Sequence, residues 1–276
     1  MGRIGFFAVL AILALGLSCQ TKSIVKPNPV SDGPKVLTAQ DSQDVWSAKM
    51  LAIALDSFYK KGGDKALPMK FSVTDFSGEY WNIEVEMRED LLSGKKRCLI
   101  VHRIGGGAVD IDIFSIGDSL QKLVSHSESE MTFENDTIRD INGDGRKDFV
   151  VNWYGTNGCC LKAYADVYLM RPDGISFSKP INFLNPTFFP EEQLIRGVCY
   201  GQPGMTPLYK KKWKGEAVED VEYVFFEMDT AYVKTGKIVR ADAPSVAEAK
   251  RLEYLDEIPK EYEGIFGFDW FLDKLE

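Results

Sequence analysis

The feature that most constrains the fold is a long succession of short segments in which apolar and polar residues alternate. The clearest are IEVEM at 83–87 and VDIDI at 109–113, where apolar side chains alternate strictly with acidic ones. A period of two gives a half-buried strand one apolar face. Similar segments, separated by Gly, Asp and Ser turns, continue from residue 69 to residue 240. The pattern predicts a mainly β fold of antiparallel strands.

Helical patterns are found at both ends of this strand-rich region. Residues 41–63 are predicted to form a helix that ends at two glycines, with a buried stripe at Ala48, Leu51, Leu55 and Phe58. Residues 245–258 are predicted to form a short helix, followed by an aromatic tail. The strands repeat in the manner of propeller blades, but without a fixed period, so a complete propeller is not predicted.

The N-terminus has the character of an export signal. Arg3 precedes an apolar run that ends near Leu17-Ser18-Cys19, and this run is too short to be a good membrane span. Residues 1–18 are predicted to be a signal peptide. Leu17-Ser18-Cys19 resembles a lipoprotein lipobox, in which the cysteine becomes the lipidated N-terminus of the mature chain. The resemblance implies that Cys19 is a lipidation site at the start of a flexible tether, 19–40; the alternative is an ordinary cleaved signal. Two acyl chains on one cysteine suffice for stable anchoring.

The composition of the chain limits the classes of partner that it could bind and the compartment in which it could act. Net charge is −8 at pH 7, so the basic footprint of a nucleic-acid-binding protein is lacking. The position after the lipobox cysteine is Gln20 rather than aspartate, which favours the periplasmic face of the outer membrane. The remaining four cysteines are candidates for disulfides, with Cys159 or Cys160 pairing to Cys199; the alternative is four reduced thiols, including Cys98.

The segment DINGDGRKD at 140–148 has the spacing of a calcium loop. Calcium takes about six to eight oxygen ligands, and a loop supplies them from alternate positions before a glycine that permits a sharp turn. The candidate ligands are Asp140, Asn142, Asp144, the backbone carbonyl of Arg146, and Asp148. An EF-hand would have a glutamate at its twelfth position, where this chain has Val151 at the start of an apolar strand. We therefore predict a strand-loop-strand calcium site, the alternative being an Asx-rich turn.

The lipobox and this loop together resemble a family of bacterial exported calcium-loop lipoproteins. The similarity covers roughly residues 99–224, and only the loop motif D-x-N-x-D-G-x-x-D is specific. The resemblance implies an incomplete, propeller-like β domain, here 41–276, that binds calcium. It also implies a non-enzymatic inhibitor, because the family includes periplasmic immunity proteins that inhibit peptidoglycan hydrolases. An acidic chain would attract a basic hydrolase by electrostatic steering.

The loop WYGTNGCC, which follows the calcium loop and its strand, is the candidate partner surface. Trp153, Tyr154 and Asn157 are its candidate contact residues, and an ordinary Gly/Asn turn is the alternative. Two further functions remain open. One is a carbohydrate- or protein-binding envelope module that uses exposed aromatic residues. The other is an envelope hydrolase that uses a pair of carboxylates, which the sequence does not single out.

The two histidines and one lysine-rich segment have simpler predictions. His102 is predicted to be structural or solvated, and His126 to be a turn residue. The lysine-rich segment YKKKWKG at 209–215 is predicted to be a solvated edge strand.

Overall fold

The structure is a computed structural model that describes residues 39–65, 69–75 and 81–274. It has helices at both ends of a run of fifteen strands. Helix α1 spans Ala39–Lys60, and α2 spans Phe268–Leu272. The signal peptide, Cys19 and all but the last residues of the tether lie outside the described residues.

The strands form three antiparallel sheets, each a simple up-and-down succession. Sheet 1 contains β1 (Met69–Asp75), β2 (Trp81–Arg88), β3 (Cys98–Gly105), β4 (Ala108–Ile116) and β5 (Leu120–Ser129). Sheet 2 contains β6 (Phe133–Arg139), β7 (Asp148–Tyr154), β8 (Ala163–Tyr168) and β9 (Ile181–Leu184). Sheet 3 contains β10 (Pro186–Phe189), β11 (Leu194–Val198), β12 (Leu208–Lys214), β13 (Ala217–Met228), β14 (Lys234–Ala241) and β15 (Leu252–Leu255).

The three sheets pack face to face in chain order. Ile111 of β4 and Val151 of β7 belong to one buried cluster between sheets 1 and 2. Val150 of β7 and Ile195 of β11 belong to a second cluster between sheets 2 and 3. Successive open meanders stacked in this way are the arrangement of propeller blades. The prediction of a mainly antiparallel, incomplete propeller-like β fold with helical ends is confirmed.

Sheet 2 is buried on both faces, and its sequence reflects this. Along β7, Phe149 and Val151 face sheet 1 while Val150 faces sheet 3. Alternate residues point to opposite sides of a strand, so a strand between two sheets needs apolar residues at every position. The uninterrupted run FVV is therefore a consequence of the central position of β7.

The outer faces of sheets 1 and 3 are covered by the two ends of the domain. Met50, Ala54 and Phe58 of α1 pack on the outer face of sheet 1, spaced by one helical turn. Of the predicted stripe, Phe58 is buried and Leu51 and Leu55 pack against the same cluster, whereas Ala48 is exposed. The most buried face is therefore rotated slightly from the predicted one. On sheet 3, the outer cover includes Tyr262 and Phe271.

Two predictions about sheet 3 are wrong. The segment 245–258 is not a helix, because Leu252–Leu255 forms β15 and pairs with β14. The short C-terminal helix is α2, within the aromatic tail. The lysine-rich strand β12 is not an edge strand but lies between β11 and β13. Its lysines are accommodated there by carboxylates of β13, as in the 2.6 Å contact between Lys210 Nζ and Glu222 Oε1.

Candidate functional site

The predicted calcium loop joins β6 to β7 and is held by its own first residue. Asp140 accepts the backbone N–H of Gly143 through Oδ1 and that of Gly145 through Oδ2, both at 2.7 Å. The two glycines have φ of 75° and 81°, a left-handed conformation that costs glycine little. A strand follows the loop, as predicted, so the loop is not part of a helix-loop-helix unit.

The middle of the loop continues the same pattern of side-chain to backbone bonds. Asn142 Oδ1 accepts the N–H of Asp144 at 3.1 Å, and Asp144 Oδ1 accepts that of Arg146 at 2.9 Å. The guanidinium of Arg146 donates to Asp144 Oδ2, and its Nε donates to the carbonyl of Met170 at 3.2 Å. Arg146 thus neutralises a candidate ligand through its side chain.

Asp148 is the most buried carboxylate of the loop and anchors it to the sheet. Its side chain is fully shielded from solvent, and it accepts the N–H of Ile141 at 2.9 Å and that of Met170 at 2.8 Å. Burial raises the pKa of Asp148 to about 6; the two backbone bonds oppose this shift, and the nearby Asp144 and Asp140 add to it. This carboxylate therefore joins three chain segments.

The loop fits calcium in the nature and order of its donors. Asp140, Asn142 and Asp144 supply oxygens at alternate positions of a turn, and both oxygens of Asp140 and Oδ1 of Asp144 have lone pairs left after accepting one N–H each. Oδ2 of Asp144 accepts two donors, from Asn142 and Arg146. The fit is incomplete in geometry. Within the described residues, the three loop aspartates do not bring one carboxylate oxygen each to within 4.8 Å of the other two. Calcium binding by this loop stays a prediction, and it requires the side-chain donors of Arg146 and Asn142 to release Asp144 Oδ2.

The calcium loop packs tightly against the chain just before β11. A Cβ added at Gly143 would lie 1.9 Å from the carbonyl oxygen of Pro190, so only glycine fits there. Trp213 of β12 lies beside the loop and lines a cavity of about 380 Å³ with Asn142 and Arg146. The loop therefore braces the contact between sheets 2 and 3, in addition to joining two strands.

The four cysteines of the domain are free thiols in this structure. The pairing of Cys159 or Cys160 with Cys199, predicted as one alternative, is not formed. Cys98 is buried between sheets 1 and 2, whereas Cys199 packs against the cluster between sheets 2 and 3. Burial raises the pKa of Cys98 to about 12 and that of Cys199 to about 11. The vicinal sulfurs of Cys159 and Cys160 are 3.7 Å apart, and Cys159 is exposed.

The three candidate contact residues of the WYGTNGCC loop differ in accessibility. Trp153 stacks on Tyr164 with ring centroids 4.1 Å apart, and its Nε1 donates to Asp166, so it has a structural role. Asn157 is exposed on the turn. Tyr154 is 36% exposed and lines a groove of about 700 Å³. Of the three residues, Tyr154 is the one that the structure places at a concave surface.

This Tyr154 groove lies where β6–β8 meet the start of sheet 3 and the tail before α2. Four aromatic side chains are among its lining residues, and the polar groups include a bonded amide pair, Asn152 Nδ2 to Asn135 Oδ1 at 2.8 Å. Its polar and aromatic lining residues include Glu134, Asn135, Arg139, Asn152, Tyr154, Tyr164, Phe188 and Phe266. Planar rings beside amides and single charges suit a polar ligand with flat faces.

Both histidines of the chain face sheet 2 across the interface between sheets 1 and 2, which the sequence did not indicate. In sheet 1 the strand register aligns His102, Ile111 and His126 in one cross-strand row. His102 Nε2 lies 2.8 Å from Asp136 Oδ1 of β6. His126 is in β5, so its prediction as a turn residue is wrong.

A matching row crosses sheet 2. The register there aligns Asp136, Val151 and Asp166. His102 contacts Asp136, Ile111 and Val151 share one buried cluster, and the ligand atoms of His126 and Asp166 lie within 4.8 Å. Each histidine of sheet 1 therefore faces an aspartate of sheet 2, with an apolar pair between them.

Comparisons with known proteins do not extend these observations: no family model, no curated protein and no solved structure matches the chain. Of the helices within the described ranges, none combines the length and apolar character that a membrane crossing needs.

Proposed function

We propose that this chain is an exported, lipid-anchored binding protein of the cell envelope, stabilised by calcium and without catalytic activity. Its partner is a basic, lysozyme-like peptidoglycan hydrolase, which it inhibits as an immunity protein. The anchor is Cys19, and the calcium loop is Asp140–Asp148. The observation that carries the binding role is the Tyr154 groove, which unites one residue of the candidate partner loop with a concave, partly aromatic surface.

The charge of the chain supports a basic partner. Acidic residues exceed basic ones, with a net charge of −8. Such an imbalance raises the association rate with a positively charged protein and makes that rate fall as salt is added. Inside the groove the charges are few, with Glu134 and Arg139 among its lining residues. The contact itself would therefore depend mainly on aromatic side chains, which are enriched at interface hot spots.

The composition of the groove also bears on the enzyme alternative. Glycoside hydrolysis needs two carboxylates on either side of the scissile bond. Among the described residues that line the groove, Glu134 is the one carboxylate. A second cleft of about 470 Å³, beside β6, contains Glu84, Glu86 and Asp136 together with His102. That cleft is one place where a hydrolase of this chain would find more than one carboxylate.

The test is capture of a hydrolase by the full chain from an envelope extract, followed by an assay of peptidoglycan hydrolysis. We expect recovery of a muramidase and loss of its activity on addition of the full chain. Tyr154→Ala should weaken this interaction by about tenfold, the loss that corresponds to about 1.4 kcal/mol. The matched control is Tyr232→Ala, since Tyr232 is 75% exposed and does not line the groove. Turnover of peptidoglycan by the full chain alone would overturn the proposal.

A second candidate function is glycan binding in the same groove. It is favoured by the bonded amides Asn135 and Asn152 beside the rings of Tyr154 and Tyr164. Purified peptidoglycan oligosaccharide, titrated into the full chain, separates the two candidates. Binding of the oligosaccharide without capture of a hydrolase would replace the first candidate by the second.

A further inference from the structure

Three side chains from facing sheets converge at the far end of the two rows. His126 and Glu128 alternate along β5 and so point to the same side, and Asp166 of β8 faces them from sheet 2. One ligand atom from each, an imidazole nitrogen or a carboxylate oxygen, lies within 4.8 Å of the other two. We refer to His126, Glu128 and Asp166 as the His126 cluster.

The imidazole of His126 has one ring nitrogen engaged and one free. Nδ1 lies 2.9 Å from the hydroxyl of Tyr168. Nε2 is shielded from solvent and has no hydrogen-bond partner among the described residues. If Nδ1–H donates to Tyr168, the lone pair of Nε2 is left for another ligand.

The two carboxylates are held in place by neutral donors. Asp166 accepts Trp153 Nε1 at Oδ2 and Asn182 Nδ2 at Oδ1, both at 2.9 Å. Glu128 Oε1 accepts the N–H of Ser129 at 2.9 Å and the hydroxyl of Thr132. Outer donors of this kind orient the ligands of metal sites.

The charge of the cluster is not balanced by nearby cations. Within the described part of the chain, neither Glu128 nor Asp166 forms a salt bridge to a lysine or arginine, whereas Asp112, buried elsewhere in sheet 1, pairs with both Arg103 and Lys122. Two half-buried carboxylates this close repel each other unless a proton or a cation lies between them. A divalent cation would bring the sum of the three side chains to zero.

We propose that His126, Glu128 and Asp166 bind a divalent cation of the zinc class. One imidazole nitrogen and two carboxylate oxygens form a three-ligand set that leaves a fourth position of a tetrahedral ion for water. Calcium and magnesium prefer oxygen-only ligands, whereas an imidazole suits zinc and its neighbours among the transition metals. This site is separate from the calcium loop and does not rest on the proposed partner.

The spacing of the cluster is compatible with a tetrahedral ion. Zinc–ligand bonds of about 2.0–2.2 Å place tetrahedral ligand atoms roughly 3.3–3.6 Å apart. The three ligand atoms lie within 4.8 Å of one another, so side-chain rotation can bring any longer separation into this range. Glu128 is the most adaptable of the three, because it lies near the end of β5, an edge strand of sheet 1.

The experiment is a zinc titration of the purified full chain after chelator treatment, with calcium in excess so that the calcium loop does not compete for zinc. We expect about one zinc ion per chain and, with Co²⁺ in its place, the visible absorption of a tetrahedral site. His126→Asn and Glu128→Gln should each weaken zinc binding about 100-fold, and Tyr168→Phe about 10-fold, because it removes only an outer partner.

The matched control is His102→Asn, which removes the only other histidine and its contact with Asp136 but leaves the cluster intact. Zinc affinity should change less than about threefold in that variant, well below the effect of removing a ligand. Far-ultraviolet circular dichroism of each metal-free variant verifies that it folds. The proposal is overturned if wild type binds no zinc, if folded His126→Asn binds it as tightly as wild type, or if His102→Asn weakens it equally.

Discussion

The calcium loop and the His126 cluster both gather acidic side chains, but in opposite ways. The loop takes its ligands from one continuous segment, and backbone N–H groups already occupy oxygens of its three aspartates. The cluster takes its ligands from β5 and β8, on different sheets, and leaves one ring nitrogen free. A local site is therefore organised by its own backbone, whereas an assembled site depends on packing between sheets.

The largest expected effect comes from removing the anchor of the calcium loop. Asp148→Ala leaves the N–H groups of Ile141 and Met170 without their acceptor in a buried position. An unsatisfied buried donor costs about 1–3 kcal/mol, so we expect a loss of about 4 kcal/mol in the free energy of unfolding. Urea denaturation at neutral pH measures it.

The control for that prediction is Asp173→Ala. Asp173 also accepts two backbone N–H groups, from Ile175 and Ser176, but on an exposed turn where water replaces it. Its loss of stability should be clearly smaller. Equal losses in the two variants would mean that burial of Asp148 is not what makes it an anchor.

The next variant should distinguish the His126 cluster, which is assembled from two sheets, from the calcium loop, which is one continuous segment. Ile111→Ala opens a cavity between His102 and His126 and should cost about 3 kcal/mol of unfolding free energy. It should also weaken zinc binding, because the facing rows lose their apolar contact, while calcium affinity stays the same. Isothermal titration with each ion measures both.

Ile195→Ala is the matched control for Ile111→Ala. Ile195 is equally buried but belongs to the cluster between sheets 2 and 3. Its stability loss should be similar, with no change in zinc affinity. If both variants lose zinc to the same degree, general destabilisation explains the effect, and the apolar contact does not.

A pair of glycines tests how the calcium loop is packed. Gly143→Ala places a methyl group 1.9 Å from the Pro190 carbonyl and should cost about 2–3 kcal/mol. Gly145→Ala has open space and only the strain of its positive φ, so about 1 kcal/mol is expected. Thermal or urea unfolding compares them. Similar costs would show that the loop does not press against the Pro190 turn.

Calcium bound at the calcium loop should raise the free energy of unfolding measurably. At a free concentration about ten times Kd, binding adds about 1.4 kcal/mol, which raises the Tm of a domain of this size by about 3–6 °C. Asp144→Ala should abolish the shift, since it removes a candidate ligand. The variant Glu128→Gln, which alters the His126 cluster, should retain the calcium-dependent rise in Tm. An unchanged Tm for wild type on adding calcium to chelated protein would leave the loop as an Asx-rich turn.

The smallest effect concerns the ion pairs that connect the calcium loop with sheet 1. Asp90 accepts Arg88 Nε at 2.9 Å and also contacts Lys147 of the loop; the bond from Arg88 is the main reason that its pKa lies well below the usual range. A depressed carboxyl pKa contributes stability above about pH 4 that is lost as pH falls towards the folded pKa. Because the pair is half exposed, Asp90→Asn should cost less than about 1 kcal/mol.

The salt dependence of that cost provides its control. At high ionic strength, or below the folded pKa of Asp90, wild type and Asp90→Asn should unfold with the same free energy. A difference that persists in high salt would point to a packing role instead. The comparison of unfolding curves at two salt concentrations is sufficient.

Local sequence patterns were sufficient to predict most of the strands and the turn in the calcium loop. Alternation predicted β2 and β4, and the Asp-Gly turn before β7 is formed as expected. Patterns failed where a neighbouring strand, distant along the chain or not recognised from its composition, decides the outcome. The segment around Leu252 has a helical composition but pairs with β14, and Lys210 lies inside a sheet because β13 supplies Glu222. Tertiary pairing outweighs intrinsic preference in such cases.

The cysteines and histidines illustrate the same limit. An even count of four thiols suggested a disulfide, but Cys98 and Cys199 belong to separate buried clusters. His126 and Asp166 are forty residues apart, and nothing in either segment indicates the other. Their encounter follows from two strand registers and from the stacking of sheet 1 on sheet 2. A register shift of one residue would turn each side chain to the opposite face.

The sequence alone was enough to predict the class of fold and the turn that begins at Asp140, because both depend on interactions within a few residues. The order of the sheets, the Tyr154 groove and the His126 cluster required the folded molecule. Each of these brings together side chains from separate strands, and the free energy that aligns them comes from burying the apolar faces between the sheets.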